Sequence, residues 1–372
     1  NGVGFNLRRD SILDRSKIIP TLGKSFKEAG YRVAYFGKEH AGGYGYASAS
    51  DFGSMMHSSG GMLAEGSAYD PIFTDDAVKY LRNQSSEQPF FMTLSLINPH
   101  DICRVLGGKV KGATFSDAIH FARTEDEPYL RFQARPDLPD NHNVPFEKGM
   151  ILHQDFMYKE VSEFSVDDWK RFISTYQLLI ENTDRLMGQL LASLEEQGLD
   201  ENTIVIFTTD HGEMAGSHQL IAKTTFYEES SKIPIIIKYP KLIQPSSVND
   251  SALVGTVDLM PTLLDLAGVK IPEGLDGRSF KREILQPNND YSDFEMLFSQ
   301  NQFGRMVRFE HFKYVRSQVY GKNYEILFDL RNDPQESKNL SIDPQYKDFL
   351  NRGRILLDEW MESEEIPLIA ER

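Results

Sequence analysis

The segment Thr208-Thr209-Asp210-His211-Gly212-Glu213 sets an acid and an imidazole side by side directly after an apolar run, Thr203 to Thr208. In open α/β sheets, ligand groups gather at the carboxyl ends of strands. Asp210 and His211 can there offer an oxygen and a ring nitrogen to one cation. The same pair also suits a polar turn in which Asp210 caps a helix, and the residues alone leave both readings open. Lys38 and His40 follow another strand-like run. Two residues apart in extended backbone, they point the same way, and together they suit an oxyanion or a leaving-group oxygen. A solvated lysine in a loop is the plainer alternative.

Asn98-Pro99-His100 puts a third histidine-bearing turn after the apolar run Pro89 to Ile97. His100 is open to a structural as well as a chemical role. Lys223 sits in Ala222-Lys223-Thr224-Thr225-Phe226-Tyr227-Glu228, with His218 in the loop before it. It is either a charge clamp on an anion or an exposed side chain. Cys103, the sole cysteine, has no activated-thiol context in Cys103-Arg104-Val105-Leu106 and reads as a plain cysteine.

Elements of alternating type must carry these residues. Pro20 to Gly30 reads as a short helix ending at a glycine, and Arg32 to Phe36 as a strand. Thr74 to Gln84 reads as a helix. Pro89 to Ile97 and Thr203 to Thr208 read as strands buried on both faces. Residues 103 to 150, rich in Pro, Gly and Asp, read as a long insertion or lid. Asp168 to Gln197 carries apolar residues at helical spacing. Ile233 to Tyr239 is a strand and Asp258 to Ala267 a helix. The fold class is therefore α/β, a mostly parallel sheet sandwiched by helices. After about residue 288 come short strands at close spacing: Met296 to Ser299, Gly304 to Phe309, Phe312 to Arg316 and Tyr324 to Phe328. They predict a small antiparallel sheet closed by a helix over Gln345 to Met361. The division is 1–287 and 288–372.

Composition limits the partners. A formal charge of −15 over 372 residues argues against nucleic acid, whose phosphates need a basic surface. A few lysines and histidines focused in one pocket can still hold a small anion. No apolar run is long enough to suggest a transmembrane helix, and one cysteine excludes an intrachain disulfide.

Order and spacing say more than any single residue. Ala29-Gly30-Tyr31-Arg32-Val33-Ala34-Tyr35-Phe36-Gly37-Lys38-Glu39-His40 resembles the EAGYxTxxxGKWH segment of type I sulfatases, members of the alkaline phosphatase superfamily. Thr209 to Glu228 resembles their TSDHGExxGxHxxxxKxxxYE segment, and Asn98-Pro99-His100 stands where they carry NPHxP. Leu327 to Leu340 looks like their LYDLxxDPxExxNL signature. The resemblance implies an alkaline phosphatase-like fold and hydrolysis of a sulfate ester, of a carbohydrate or aryl substrate. It implies a divalent metal held in part by Asp210 and His211. Calcium is usual, while the imidazole at 211 in place of the commoner Asn also suits zinc or manganese. Lys38, His40, His100 and Lys223 match the family's catalytic lysines and histidines. The lysines would bind sulfate oxygens, and the histidines would handle the nucleophile and leaving group. The family's periplasmic or extracellular setting is a further expectation.

Three departures accompany the match. The family's Cys/Ser-x-Pro-x-Arg motif, whose first residue becomes a formylglycine nucleophile, does not occur in the chain. Its early Asp-Asp metal pair is also missing, and Glu39 stands where the family usually has Trp. On the resemblance, the nucleophile and the Asp-Asp pair belong to a strand upstream of Asn1. That strand would lie centrally, and without it the chain would show a groove beside 203–208, weak metal binding, no sulfatase activity and poor stability. Two other readings remain: a single-metal phosphonate or phosphodiester hydrolase of the same superfamily, and a non-catalytic binder of sulfated glycans. A two-zinc site is set aside because no Asp-x-x-x-His occurs.

Overall fold

A computed structural model describes residues 21–39, 55–57, 66–84, 88–104, 136–152, 155–159, 161–287 and 292–364. Thr21 accepts a hydrogen bond from the Lys24 N–H at 3.3 Å and opens α1 (Leu22–Glu28). The chain then turns at Gly30 into β1 (Arg32–Glu39), which lies between β2 (Met55–His57) and β3 (Phe90–Ser95) in a parallel sheet ordered β2-β1-β3. Arg32 pairs with Phe90, and Gly37 pairs with both Met55 and Ser95.

Alternation along β1 decides what covers each face. Val33 packs with Leu22 and Phe26 of α1 and with Leu264. Ala34 and Phe36 pack the other way, against Phe73, Ala77, Tyr80 and Leu81 of α2 (Gly66–Arg82). Burying side chains such as Phe26, which is 3% exposed and stacks on Phe91 at 4.3 Å, stabilises by about 1.5–3 kcal/mol each.

The sequence places the start of α2 at Thr74, and it begins at Gly66 instead. Its first amides are taken up by Asp101 from a distant turn, a cap that local sequence does not show. The following helix, α3 (Val166–Glu196), is opened by a capping box between Ser165 and Asp168. Its first half packs Trp169, Phe172 and Leu179 against Ile102, Ile221 and Ala222. Its last turns pack Leu190 and Leu194 on the β1–β3 core. One helix thus braces both the sheet and the turns that follow its strands.

β4 (Val205–Thr208) pairs antiparallel with β5 (Ile235–Lys238), the single turn α4 (Glu228–Ser231) lying between them. Among the described residues no ladder joins this pair to the parallel sheet. The predicted strands at 89–97 and 203–208 are half-buried along their strand residues rather than buried on both faces. Each forms an edge of its sheet among the described residues, and an edge keeps one flank open. α5 (Leu259–Leu266) closes the α1 side, and α6 (Lys281–Leu285) follows it.

β6 (Met296–Gln300), β7 (Gly304–Phe309), β8 (Phe312–Val319) and β9 (Lys322–Asp329) form the expected antiparallel sheet, in sequence order. Period-two alternation again sorts the faces. Val307, Phe309, Tyr314 and Leu327 meet Leu350, Leu357 and Met361 of α7 (Lys347–Ser363). Met306, Val315, Ile326 and Phe328 meet Met150, Ile151, Met214, Leu220, Phe226 and Tyr227. Met150 and Ile151 are fully buried, so the described end of the predicted lid, 136–150, is irregular yet part of the core. Residues 105–135 of that stretch lie outside the described residues.

This second core contains a buried ion cluster. Lys313 Nζ lies 2.7 Å from Glu228 Oε1, 2.8 Å from Glu336 Oε1 and 2.7 Å from the Phe226 carbonyl. The contact with Glu336 Oε1 is ionic, without hydrogen-bond alignment. Glu336 Oε2 accepts the Glu228 N–H at 2.6 Å. Burial would raise the Glu228 carboxyl, but Lys313 and Arg308 more than reverse this and hold it low. For Glu336 burial wins over Lys313 and pushes the carboxyl up to about 7.

Candidate active site

Lys38 stands near the carboxyl end of β1 because of the residue before it. Gly37 has φ +112°, and a Cβ there would sit 1.9 Å from the Ser95 carbonyl oxygen of β3. Only glycine lets the two strands approach this closely. The Tyr35 hydroxyl donates to the Lys38 carbonyl at 2.6 Å and fixes the backbone that follows. His40 lies outside the described residues.

His100 opens the turn after β3, behind a cis Asn98–Pro99 bond. Two carboxylates shape this turn. Asp70, 1% exposed, accepts the N–H groups of Ile97 (2.7 Å) and Asn98 (2.9 Å). Asp101 accepts Gly66 N–H (3.1 Å), Ser67 N–H (2.8 Å) and the Ser67 hydroxyl (2.9 Å). Burial pushes Asp70 up to about 7; its two amide donors and Lys38 work against that, and Asp101 works with it. Burial also pushes His100 down to about 4, helped by Lys223, Lys38 and His211 and opposed by Asp210. The ring is therefore neutral near pH 7, and the groups acting on it are the ones the sequence singles out.

Gly212 is the second glycine demanded by close approach: a Cβ would meet the Glu229 carbonyl oxygen at 1.9 Å, and its N–H donates to Ser230 at 2.9 Å. No helix follows Asp210, so the capping alternative falls. Its Oδ1 instead accepts from His211 N–H (3.1 Å) and the Thr209 hydroxyl (3.3 Å). His211 Nδ1 lies 2.9 Å from the Gly212 carbonyl, which can only accept, so Nδ1 carries the hydrogen. Burial, Lys223 and Lys38 push this imidazole down, against Asp210 and the carbonyl. The neutral ring then has its lone pair on Nε2, 3.5 Å from Asp210 Oδ2. With the Asp210 side chain 81% exposed, an oxygen and a nitrogen donor meet at an open edge, a pair that fits a divalent cation. Among the described residues, no group of three or more His, Cys, Asp or Glu side chains surrounds one such point.

Lys223 arrives on a loop rather than a strand end. The loop doubles back on itself through Met214 N–H to Ala222 C=O and Gly216 N–H to Leu220 C=O, each 2.9 Å. Ala215, His218, Gln219, Ala222 and Thr224 all have φ between 45° and 77°. Left-handed backbone costs about 1–2 kcal/mol for each such residue and persists only where surroundings enforce it. Lys223 thus lies between two strained neighbours. Its Nζ is 3.7 Å from Cys103 Sγ, and burial pushes that thiol up, away from nucleophilic use.

Glu213, Asp70 and Asp101 carry structural duties at the site that sequence reasoning does not assign. The adjacency of Glu213 to Asp-His-Gly and of Asp101 to His100 were the available signals. Asp70 had none, because it reaches the turn from 27 residues away.

The geometry can be set beside known proteins. A sulfatase family model matches residues 10–269, and a model described as N-sulphoglucosamine sulphohydrolase, C-terminal, matches 216–362. The chain belongs to the sulfatase family. It is similar to a Delta 4,5-hexuronate-2-O-sulfatase of Bacteroides thetaiotaomicron, 30% identical, covering 92% of this chain and 72% of that protein. It is 28% identical to arylsulfatase K of Bos taurus, over 76% of this chain and 55% of the relative, so it spans about half the length of that protein. A solved structure of a 2-O GAG sulfatase superposes with a TM-score of 0.76 at 27% identity, covering 93% of this chain and 75% of that one. A phosphonate monoester hydrolase of Agrobacterium radiobacter, at TM-score 0.62 and 16% identity, covers 91% of this chain and 79% of its own and shares the fold alone. The alkaline phosphatase-like α/β fold with its C-terminal antiparallel sheet and helix is that of these sulfatases.

Proposed function

We propose that the protein hydrolyses a sulfate ester of a sulfated carbohydrate, at the edge where Lys38, His100, Asp210, His211 and Lys223 meet. The observation that carries this is the setting of His100, whose ring is held neutral first by burial and then by the Lys223 and Lys38 ammoniums, which act on it from two separate segments. Crowded positive charge around a neutral imidazole is a receptor for an anion. Lys38 and Lys223 bind sulfate oxygens and offset the charge that spreads over them as the S–O bond breaks. His100, neutral when the site is empty, gains proton affinity once an anion offsets the lysines, and so can hold a proton for the leaving oxygen. A divalent cation held by Asp210 and His211, calcium on the resemblance, would supply Lewis-acid stabilisation of the same charge. The nucleophile is none of these side chains; the resemblance assigns it to a formylglycine. Relatives named for a hexuronate 2-O-sulfate and for GAG sulfate support a glycan substrate.

Comparing turnover of an aryl sulfate and an aryl phosphodiester by the full protein tests the reading. Preference for the sulfate by at least about 100-fold is expected, the scale of one differential oxyanion contact. The reverse preference would favour the phosphonate or phosphodiester hydrolase reading, for which the shared fold leaves room.

A further inference from the structure

The loop that delivers Lys223 is strained on both sides of that residue, and something must hold it. Thr224, on the far side, is met by Asn301, whose side-chain amide donates to the Thr224 carbonyl at 3.4 Å, and by Met157, whose sulfur lies 4.0 Å from the Thr224 hydroxyl. Ala222, on the near side, is fixed through both of its backbone polar groups. Its carbonyl accepts from Met214 N–H, and its own N–H donates to Glu213 Oε1 in a short hydrogen bond. Glu213 stands on the outgoing limb and Ala222 on the returning one, so this bond ties the two limbs of the loop together at the base. Burial pushes the Glu213 carboxyl up, and the Ala222 amide and the Lys223 ammonium work against that.

We propose that Glu213 is a positioning residue for Lys223: by gripping the Ala222 amide at the loop base, its carboxylate enforces the left-handed backbone that aims the ammonium at the anion. The inference rests on the reading of Lys223 as a sulfate clamp. It assigns Glu213 no contact with substrate. An acidic side chain beside an anion site would otherwise be a liability, because it opposes the bound charge. Its place at the base of the loop, engaged with the Ala222 amide, explains its presence.

The test is a double-mutant cycle on the full protein with an aryl sulfate, together with amide hydrogen exchange. Lys223→Ala should lower kcat/KM by about 100-fold or more, as the loss of an oxyanion partner does. Glu213→Ala should lower it by about 10- to 100-fold through misplacement of the ammonium, and by less than about threefold when Lys223 is already alanine. Glu213→Gln keeps an acceptor oxygen and should recover most of the loss; a fall in Glu213→Gln as large as that in Lys223→Ala overturns the grip even should Glu213→Ala fail to fold. Exchange at the Ala222 amide should rise at least about tenfold in Glu213→Ala and stay near wild type in Lys223→Ala.

A purely structural glutamate would lower the melting temperature yet leave the two kinetic effects multiplicative, and that result overturns the proposal. Unchanged exchange at Ala222 in Glu213→Ala overturns it equally. Wild-type activity in Lys223→Ala would instead sink the clamp reading on which the proposal depends, so the two failures are told apart.

Discussion

Lys313 is buried and Lys223 half-buried, and the chain treats their charges in opposite ways. At Lys313 two glutamates and a carbonyl close on the ammonium until the residue is 1% exposed. At Lys223 no carboxylate among the described residues comes within ion-pair distance; a thiol lies at 3.7 Å, and the backbone on either side is strained. The first arrangement satisfies its charge internally and binds nothing further. The second keeps positive charge in order without neutralising it, the condition for receiving an anion from outside. One short segment joins the two arrangements, since Lys223 begins it and Glu228, a partner of Lys313, ends it.

The contrast can be broken most forcefully at the closed cluster. Lys313→Met leaves the buried Glu336 carboxyl without its cation and Glu228 with Arg308 alone, and should cost about 3–5 kcal/mol of stability, read by chemical denaturation. A loss below 1 kcal/mol would mean that the cluster is not sealed. Lys223→Ala should do the converse. Its melting temperature should stay within a few degrees of wild type, while aryl sulfate turnover falls by about 10²–10³-fold, or roughly 3–4 kcal/mol of barrier. A variant that unfolds rather than loses turnover would erase the distinction.

The two regions also separate by pH. Glu336 is raised in the folded protein to about 7 from 4.5. A carboxyl raised on folding contributes stability that is fully present below 4.5 and lost as pH climbs through 7. From pH 5 to 8 the wild type should therefore lose more stability than Glu336→Gln, by at most about 3 kcal/mol. Equal losses in the two proteins would place the sensitive group elsewhere. The smallest effect is reserved for a site without buried charge. Ser165→Ala removes the N-cap of α3 and should cost about 1 kcal/mol with turnover unchanged. A fall in turnover would show that the first turn of α3 is needed to brace the Ile221–Ala222 limb.

Much of this was legible in the sequence where the cause is local. Gly37-Lys38 and His211-Gly212 mark strand ends because a close approach demands glycine next to the functional residue. The alternation in Gly304 to Phe309 gives a strand with the same bounds. The start of α2, the hold of Asp70 and Asp101 on the His100 turn, and the grip of Lys313 were not legible. These contacts join residues 23 to 108 positions apart, and no local pattern foretells which acid meets which partner. The half-burial of β3 and β4 escaped for a related reason. An apolar run reports the hydrophobicity of a strand and says nothing of whether its flank has a neighbour.

The Lys313 cluster also bears on synthesis. Glu228 leaves the ribosome 108 residues before Glu336, which takes up its amide. At about 5–20 residues per second that interval lasts roughly 5–20 s. Throughout it, the Glu228 amide lacks the acceptor that Glu336 supplies, and for most of it the carboxylate also lacks Arg308 and Lys313. The proposed anion site therefore cannot be completed until the β6–β9 sheet and Glu336 have emerged, long after Lys223 itself has been synthesised.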